Sequence, residues 1–138
     1  MIRSFKDADL DDVMQIWLNS NIDAHFFVDE DYGKSNFNSV SQMISEAEVY
    51  VYETGKGIIG FIGVVDSYIA GLFVKKDFRS QKIGKQLLDY VKTLNKSLLL
   101  DVYAENSLAI KFYKREGFQI IDKHINEETN QLEYTMQY

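Results

Sequence analysis

The 138-residue chain has no cysteine and no proline, one tryptophan and two histidines. Without cysteine there can be no disulfide, no thiolate-ligated zinc and no thiol nucleophile. No metal is expected. Without proline, every turn falls to glycine, asparagine and aspartate. Long apolar runs are also lacking: none approaches the roughly 18 residues of a membrane helix, so no membrane partner is expected. The start, Met1-Ile2-Arg3-Ser4-Phe5, has no apolar stretch of the secretory kind. A cytoplasmic protein is expected, in which the Asn95-Lys96-Ser97 sequon has no consequence. Positive charge is in short supply as well, with 15 Lys and Arg against 21 Asp and Glu. A net charge of −6 argues against a nucleic-acid partner, which needs a basic surface.

What is present suits one globular domain over residues 1–138, with 46% hydrophobic residues to build a core. The charge is unevenly divided. Residues 1–71 carry 12 acids and 4 bases, a balance of −8; residues 72–138 carry 9 acids and 11 bases, a balance of +2. Such a split suits a chain that meets an anionic ligand with one half and a cationic one with the other. Scattered solvated charge would read the same way.

Periodicity gives the elements. Ile2 to Phe5 reads as a strand, and Asp7 and Asp9 precede a helix to about Asn19 carrying Leu10, Val13, Met14 and Trp17 at helical spacing. Residues 20–35 read as loop, and a second helix is expected from about Phe37 to Glu46. Three strands follow, Val49–Glu53, Ile58–Val65 and Tyr68–Val74, separated by Gly55 and Gly57 and by Asp66-Ser67. A helix opening at Arg79-Ser80-Gln81 carries Ile83, Leu87, Tyr90, Val91 and Leu94 in one stripe. Leu98–Tyr103 is apolar enough for a strand buried on both faces. Asn106 starts a helix to about Glu116 that Gly117 ends. Phe118–Lys123 and Leu132–Gln137 are the last strands, with 124–131 as a polar connection. The pattern predicts an α/β fold, a mixed and mostly antiparallel sheet of about seven strands flanked by about four helices.

Two segments carry chemistry. Leu72 to Lys85 is strand, basic turn and helix start, with Gly84 in the first helical turn. Helix N-termini expose unpaired N–H groups and attract anions, and Lys76, Arg79, Lys82 and Lys85 add charge. A surface helix with solvated lysines would look alike. It is not a P-loop, since no glycine lies five residues before Gly84 and Gln86 replaces the Ser/Thr. In the second segment, Asn106 and Tyr113 lie almost two helical turns apart and so share a face. Asn106 could equally be only an N-cap, and Tyr113 only a packed aromatic.

Together the two segments resemble the GNAT N-acetyltransferase family. Its cofactor motif, Arg/Gln-x-x-Gly-x-Gly/Ala, stands here as Arg79-Ser80-Gln81-Lys82-Ile83-Gly84, departing at Lys82, where the first glycine is usual. The later pattern matches at Asn106, Ala109, Phe112-Tyr113 and Gly117-Phe118. The resemblance implies acetyl-CoA as co-substrate and a primary amine as acceptor: protein lysine or N-terminus, polyamine or another small amine. It implies that the main chain of Leu72, Phe73 and Val74 holds the pantetheine arm and polarises the thioester. The amides of Ser80, Gln81, Lys82, Ile83, Gly84 and Lys85 would cradle the pyrophosphate, with Asn106 bonding the arm. Tyr113, its hydroxyl in a solvated cleft, would protonate the leaving thiolate.

For the proton the amine must lose, Asp101 is the candidate base, with His25 or a water as alternatives. A buried, merely paired aspartate is an equal reading. On the acceptor side, Trp17 and His25-Phe26-Phe27 resemble a subgroup of small bacterial GNAT proteins, and Tyr68 could line the channel. The final strand, left exposed, could pair with a second copy in a homodimer. A domain that binds acetyl-CoA as a sensor, without turnover, is the other reading the segments allow.

Overall fold

The computed structural model describes residues 1–24, 42, 44 and 46–138, and for residues 20–24 and 80 it describes the backbone alone. β1 (Ile2–Ser4) leads through a 3₁₀ turn (Asp7–Asp9) into α1 (Leu10–Ala24). Arg3 joins these pieces. Its guanidinium donates to both oxygens of Asp9 at 2.8 and 3.0 Å and to Glu53 on the neighbouring strand at 3.0 Å. The hydrogen bond from Arg3 holds the Asp9 carboxyl below its ordinary range.

A meander follows: β2 (Glu48–Thr54), β3 (Gly57–Val65) and β4 (Tyr68–Val74). Asp66 and Ser67 both take positive φ, 49° and 65°. That primed geometry matches strand twist, and it lets a two-residue loop reverse the chain. Next come a second 3₁₀ turn (Lys76–Gln81), α2 (Ile83–Leu94), β5 (Leu99–Tyr103), α3 (Ser107–Arg115), β6 (Gln119–Asn126) and β7 (Gln131–Gln137). The seven strands form one sheet in the order β1-β2-β3-β4-β5-β7-β6, with β4 and β5 its single parallel pair. Among the described residues there are three α-helices rather than about four. Of the expected helix over 37–46, Gln42, Ile44 and Glu46 are helical and the remainder lies outside the described residues.

Each sheet face has its own core. α2 and α3 cover one face, where Leu87, Leu88 and Val91 meet Ile59, Ile62, Leu100, Val102 and Met136. α1 covers the other face only over the first strands, where Val13, Met14 and Trp17 meet Val49, Val51, Ile58 and Phe61. Two expectations are corrected. The last strand is interior, inserted between β5 and β6, so the edges are β1 and β6. The helix expected to open at Arg79, α2, begins instead at Ile83, because Lys82 takes a left-handed conformation (φ 60°) that interrupts the helical path. Gly117 ends α3 at φ 99°, as its sequence position predicts. Among the described residues no helix is long and apolar enough to cross a membrane.

Candidate active site

The sheet is split at its middle. β4 pairs with β3 from end to end but meets β5 only at Tyr68↔Leu99, beside a bond from Leu99 N to Ser67 O of 2.9 Å. Beyond that point the two parallel strands separate. The flank of β4 at Leu72, Phe73 and Val74 has no strand partner on its β5 side among the described residues. A strand edge of this kind offers main-chain donors and acceptors to an extended ligand. The ring of Phe73 folds back over Gly71, where any Cβ would lie 2.4 Å from it.

The free flank ends at the basic turn. Arg79 Nε donates to Val74 O at 3.0 Å and ties the turn to the strand end. At Lys82 the chain turns left-handed and α2 begins with no side-chain cap. Lys82, as N-cap, offers the first amides of α2 no side-chain acceptor. A left-handed residue other than glycine costs roughly 1–2 kcal/mol, a cost glycine would not carry. Gly84 is different: a Cβ there would meet Phe112 and Val74 at 3.8 Å each, ordinary contact distance. Packing within the protein does not demand glycine at 84. Of the basic residues, Lys85 is committed to ion pairs with Asp89 (3.1 Å) and Glu116 (3.0 Å), and its pKa is raised chiefly by Glu116. Beside the turn lies a pocket of about 310 Å³ between Gln15, Ile16 and Asn19 of α1 and Lys75, Lys76, Asp77 and Arg79.

α3 brings its own pair. Asn106 caps the helix, its side chain accepting from Ala109 N at 3.2 Å. Tyr113 does not stand in an open cleft. Its ring is 9% exposed and sits edge-on to Phe112 and Phe118, with centroids 5.2 and 5.4 Å away. Burial pushes its phenol pKa upward.

The face opposite α2 and α3 is polar over β5, β7 and β6. Leu100 and Val102 point into the core, so alternation turns Asp101 to the other side. Its carboxylate is held at both oxygens, by Tyr68 Oη at 2.6 Å and Thr135 Oγ1 at 2.5 Å. Thr135 stands directly across β7 from Asp101, and His124 of β6 stands across from Glu133. His124 Nε2 lies 2.8 Å from Glu133 Oε1 and 4.0 Å from Asp101 Oδ1, and Nδ1 lies 3.9 Å from Asp122. The hydrogen bond with Glu133 raises the imidazole pKa above 6.5. Burial and then Asp101 raise that of Tyr68.

Tyr68 and Asp101, singled out in the sequence, are thus in direct contact. His124, Glu133 and Thr135 were not singled out. Their signal was the alternation of polar residues in Glu133-x-Thr135 and His124-x-Asn126. Trp17 lies in the core under α1, 7% exposed. His25 lies outside the described residues. The donor atoms of Asp101, His124 and Glu133 all fall within 4.8 Å of one another, a spacing near that of a metal centre. Each already has a protein hydrogen-bond partner.

Residues 45–120 match the acetyltransferase (GNAT) domain family. The peptidyl-lysine N-acetyltransferase YiaC of Escherichia coli is 30% identical over 131 residues, covering 94% of this chain and 90% of that protein. The peptidyl-lysine N-acetyltransferase YjaB of Salmonella typhimurium is 30% identical over 120 residues, covering 86% and 83%. The solution structure of apo YjaB from Escherichia coli has the same fold, with a TM-score of 0.88 at 21% identity over 100% of this chain and 96% of that one.

Proposed function

The chain belongs to the GNAT acetyltransferase family, and from that premise we propose that it moves an acetyl group from acetyl-CoA to the ε-amine of a peptidyl lysine. The observation that carries the co-substrate half is the unpartnered flank of β4, which runs into an uncapped helix start with unfilled room at Gly84. An extended arm ending in a pyrophosphate fits both parts. Strand-like bonds would hold the arm along Leu72–Val74, and an N–H of that flank would receive the charge of the tetrahedral oxyanion. The uncapped amides of α2 would take the pyrophosphate. Asn106, the N-cap of α3, would bond the arm.

The acceptor half rests on the polar face. The amine nitrogen attacks the thioester carbonyl, a C–N bond forms, and the C–S bond breaks. As the amide forms, the nitrogen also loses a proton to solvent. Protein groups must handle two others: the ammonium loses one to become the nucleophile, and the departing sulfur gains one. Asp101, fixed by Tyr68 and Thr135, would receive the first. Tyr113 would give the second. Burial makes its phenol hold its proton firmly, and the same low-dielectric surroundings make a thiolate more basic, so donor and acceptor rise together. The lysine acceptor is inferred from the named activity of the relatives and suits the carboxylates of this face.

Thiol release from acetyl-CoA, measured over a panel of lysine peptides, free N-termini and polyamines, tests this function. We expect lysine peptides to be preferred and Asp101→Asn to lower kcat/KM by about 10²-fold or more, the scale of a lost general base. Turnover confined to non-cationic acceptors would overturn the assignment.

A further inference from the structure

His124 has no part in the chemistry above, yet it stands inside the carboxylates that would face the acceptor. Resting on the reading of Asp101 as the acceptor's partner, we propose that His124 sets the affinity for the amine by its own charge. A neutral imidazole leaves the carboxylates to the incoming cation, and an imidazolium competes for them.

The geometry leaves His124 little else to do. Glu133 accepts only, so at 2.8 Å the proton between them resides on Nε2 whether the ring is neutral or charged. Nε2 is also the nitrogen that faces Asp101, at 4.0 Å. With that position filled, the ring cannot take a proton from Asp101 and is not the base. It titrates at Nδ1, which faces Asp122 at 3.9 Å. The groups around it come from four strands: Tyr68 of β4, Asp101 of β5, Asp122 and Asn126 of β6, and Glu133 and Thr135 of β7. Three are carboxylates, and among the described residues none of the three is ion-paired with a lysine or arginine. The imidazolium is then the protein's own cation for this site, and an acceptor ammonium is the external one. Two cations cannot share these carboxylates without repulsion.

The sign follows from the direction of the titration. His124 holds its proton to a higher pH than an ordinary histidine because of Glu133. Acceptor binding is therefore weak below that value and strengthens as pH rises through it. One unit charge at about 4 Å in a water-like dielectric corresponds to about a fivefold change in affinity.

The experiment measures acceptor KM and kcat separately from pH 6 to 9, with saturating acetyl-CoA and a short peptide bearing one lysine. It compares the unaltered protein with His124→Gln, which keeps a polar side chain without a titrating charge. The expected result is a KM falling about fivefold with rising pH in the unaltered protein, and a flat, low KM in His124→Gln. A His124→Gln profile parallel to the unaltered one, or a higher KM at every pH, overturns the proposal. A second readout needs no turnover. Because linkage is reciprocal, n-butylammonium must depress the pKa of His124 followed by its ring proton resonance. No displacement by n-butylammonium would also overturn it. Asp101→Asn separates the two levels: if it changes neither kcat nor acceptor KM, the functional reading fails; if it does and His124→Gln does not flatten the profile, only this inference fails.

Discussion

Two replacements of Gly84 separate the needs of the fold from those of the ligand: alanine tests the first and glutamate the second. Gly84 is the second residue of α2, half-buried, and an added Cβ would touch Phe112 and Val74 at 3.8 Å with no clash. Glycine costs a helix interior roughly 0.8–1 kcal/mol relative to alanine, and about half of that applies near a helix end. The new methyl buries part of its surface and adds about 0.4 kcal/mol. The free protein should therefore gain up to about 1 kcal/mol, which for a chain of this size raises Tm by about 3 °C. Alanine is also found at this place in the family motif, so Gly84→Ala should keep its affinity for acetyl-CoA. Gly84→Glu should bind it worse, because its carboxylate would crowd and repel the pyrophosphate and displace a bond from the helix amides. Losing one such charge-assisted bond costs about 1.5–3 kcal/mol, roughly a tenfold to hundredfold weaker Kd. Thermal melting without ligand and calorimetry with acetyl-CoA, on one preparation, read both quantities. A lowered Tm in Gly84→Ala would mean that the fold itself needs glycine here. An unchanged Kd in Gly84→Glu would mean that the pyrophosphate lies elsewhere.

Tyr113→Phe keeps the packing against Phe112 and Phe118 and removes only the hydroxyl. Turnover should fall about 10²–10⁴-fold with acetyl-CoA affinity kept, and Tm should hold or rise because a desolvated hydroxyl has been removed; unchanged turnover would show that the acid lies elsewhere. Arg3→Met should lower Tm and change its acid dependence. The Asp9 carboxyl is depressed below 3.8 by Arg3, so its contribution is complete above that value and is lost as pH falls through the depressed one. In Arg3→Met the loss of Tm on acidification below pH 4 should be smaller than in the unaltered protein, and an equal loss would place the acid sensitivity elsewhere.

The order of the elements was legible because each carries its own pattern, from the α1 stripe to the alternation of β2 and the unbroken apolar run of β3. The β4 to α2 segment was legible as an anion site but not in its local path. Nothing in Arg79-Ser80-Gln81-Lys82 says that these residues tighten into a 3₁₀ turn and that Lys82 goes left-handed. Lysine there opposes the local preference that a glycine would have announced. Tyr113 was found by pattern, yet its burial depends on Phe118 and on Tyr138 stacked behind it, which no spacing reveals. The group around Asp101 was half visible. Tyr68 and Asp101 stood out singly, but their contact joins residues 33 positions apart. His124 and Glu133 were hidden by a register shift between Ile120 and Asp122, which breaks the period of β6 just where its face had to be assigned.

The position of the last strand decides more than the edges of the sheet. Because β7 lies between β5 and β6, Thr135 stands opposite Asp101 and Glu133 stands opposite His124. Were β7 on the outside, with β6 next to β5, Thr135 could not hold the Asp101 carboxylate from the adjoining strand. The same arrangement holds β5 firmly on its β7 side, across five paired residues, while its other side meets β4 at a single pair. The split in the sheet is therefore an opening between two well-braced halves rather than a frayed edge. The reaction proposed here needs that rigidity. A thioester lying along β4 and an amine at Asp101 must be presented to each other from opposite halves, and an error of about 1 Å in such placement can cost 10²-fold in rate.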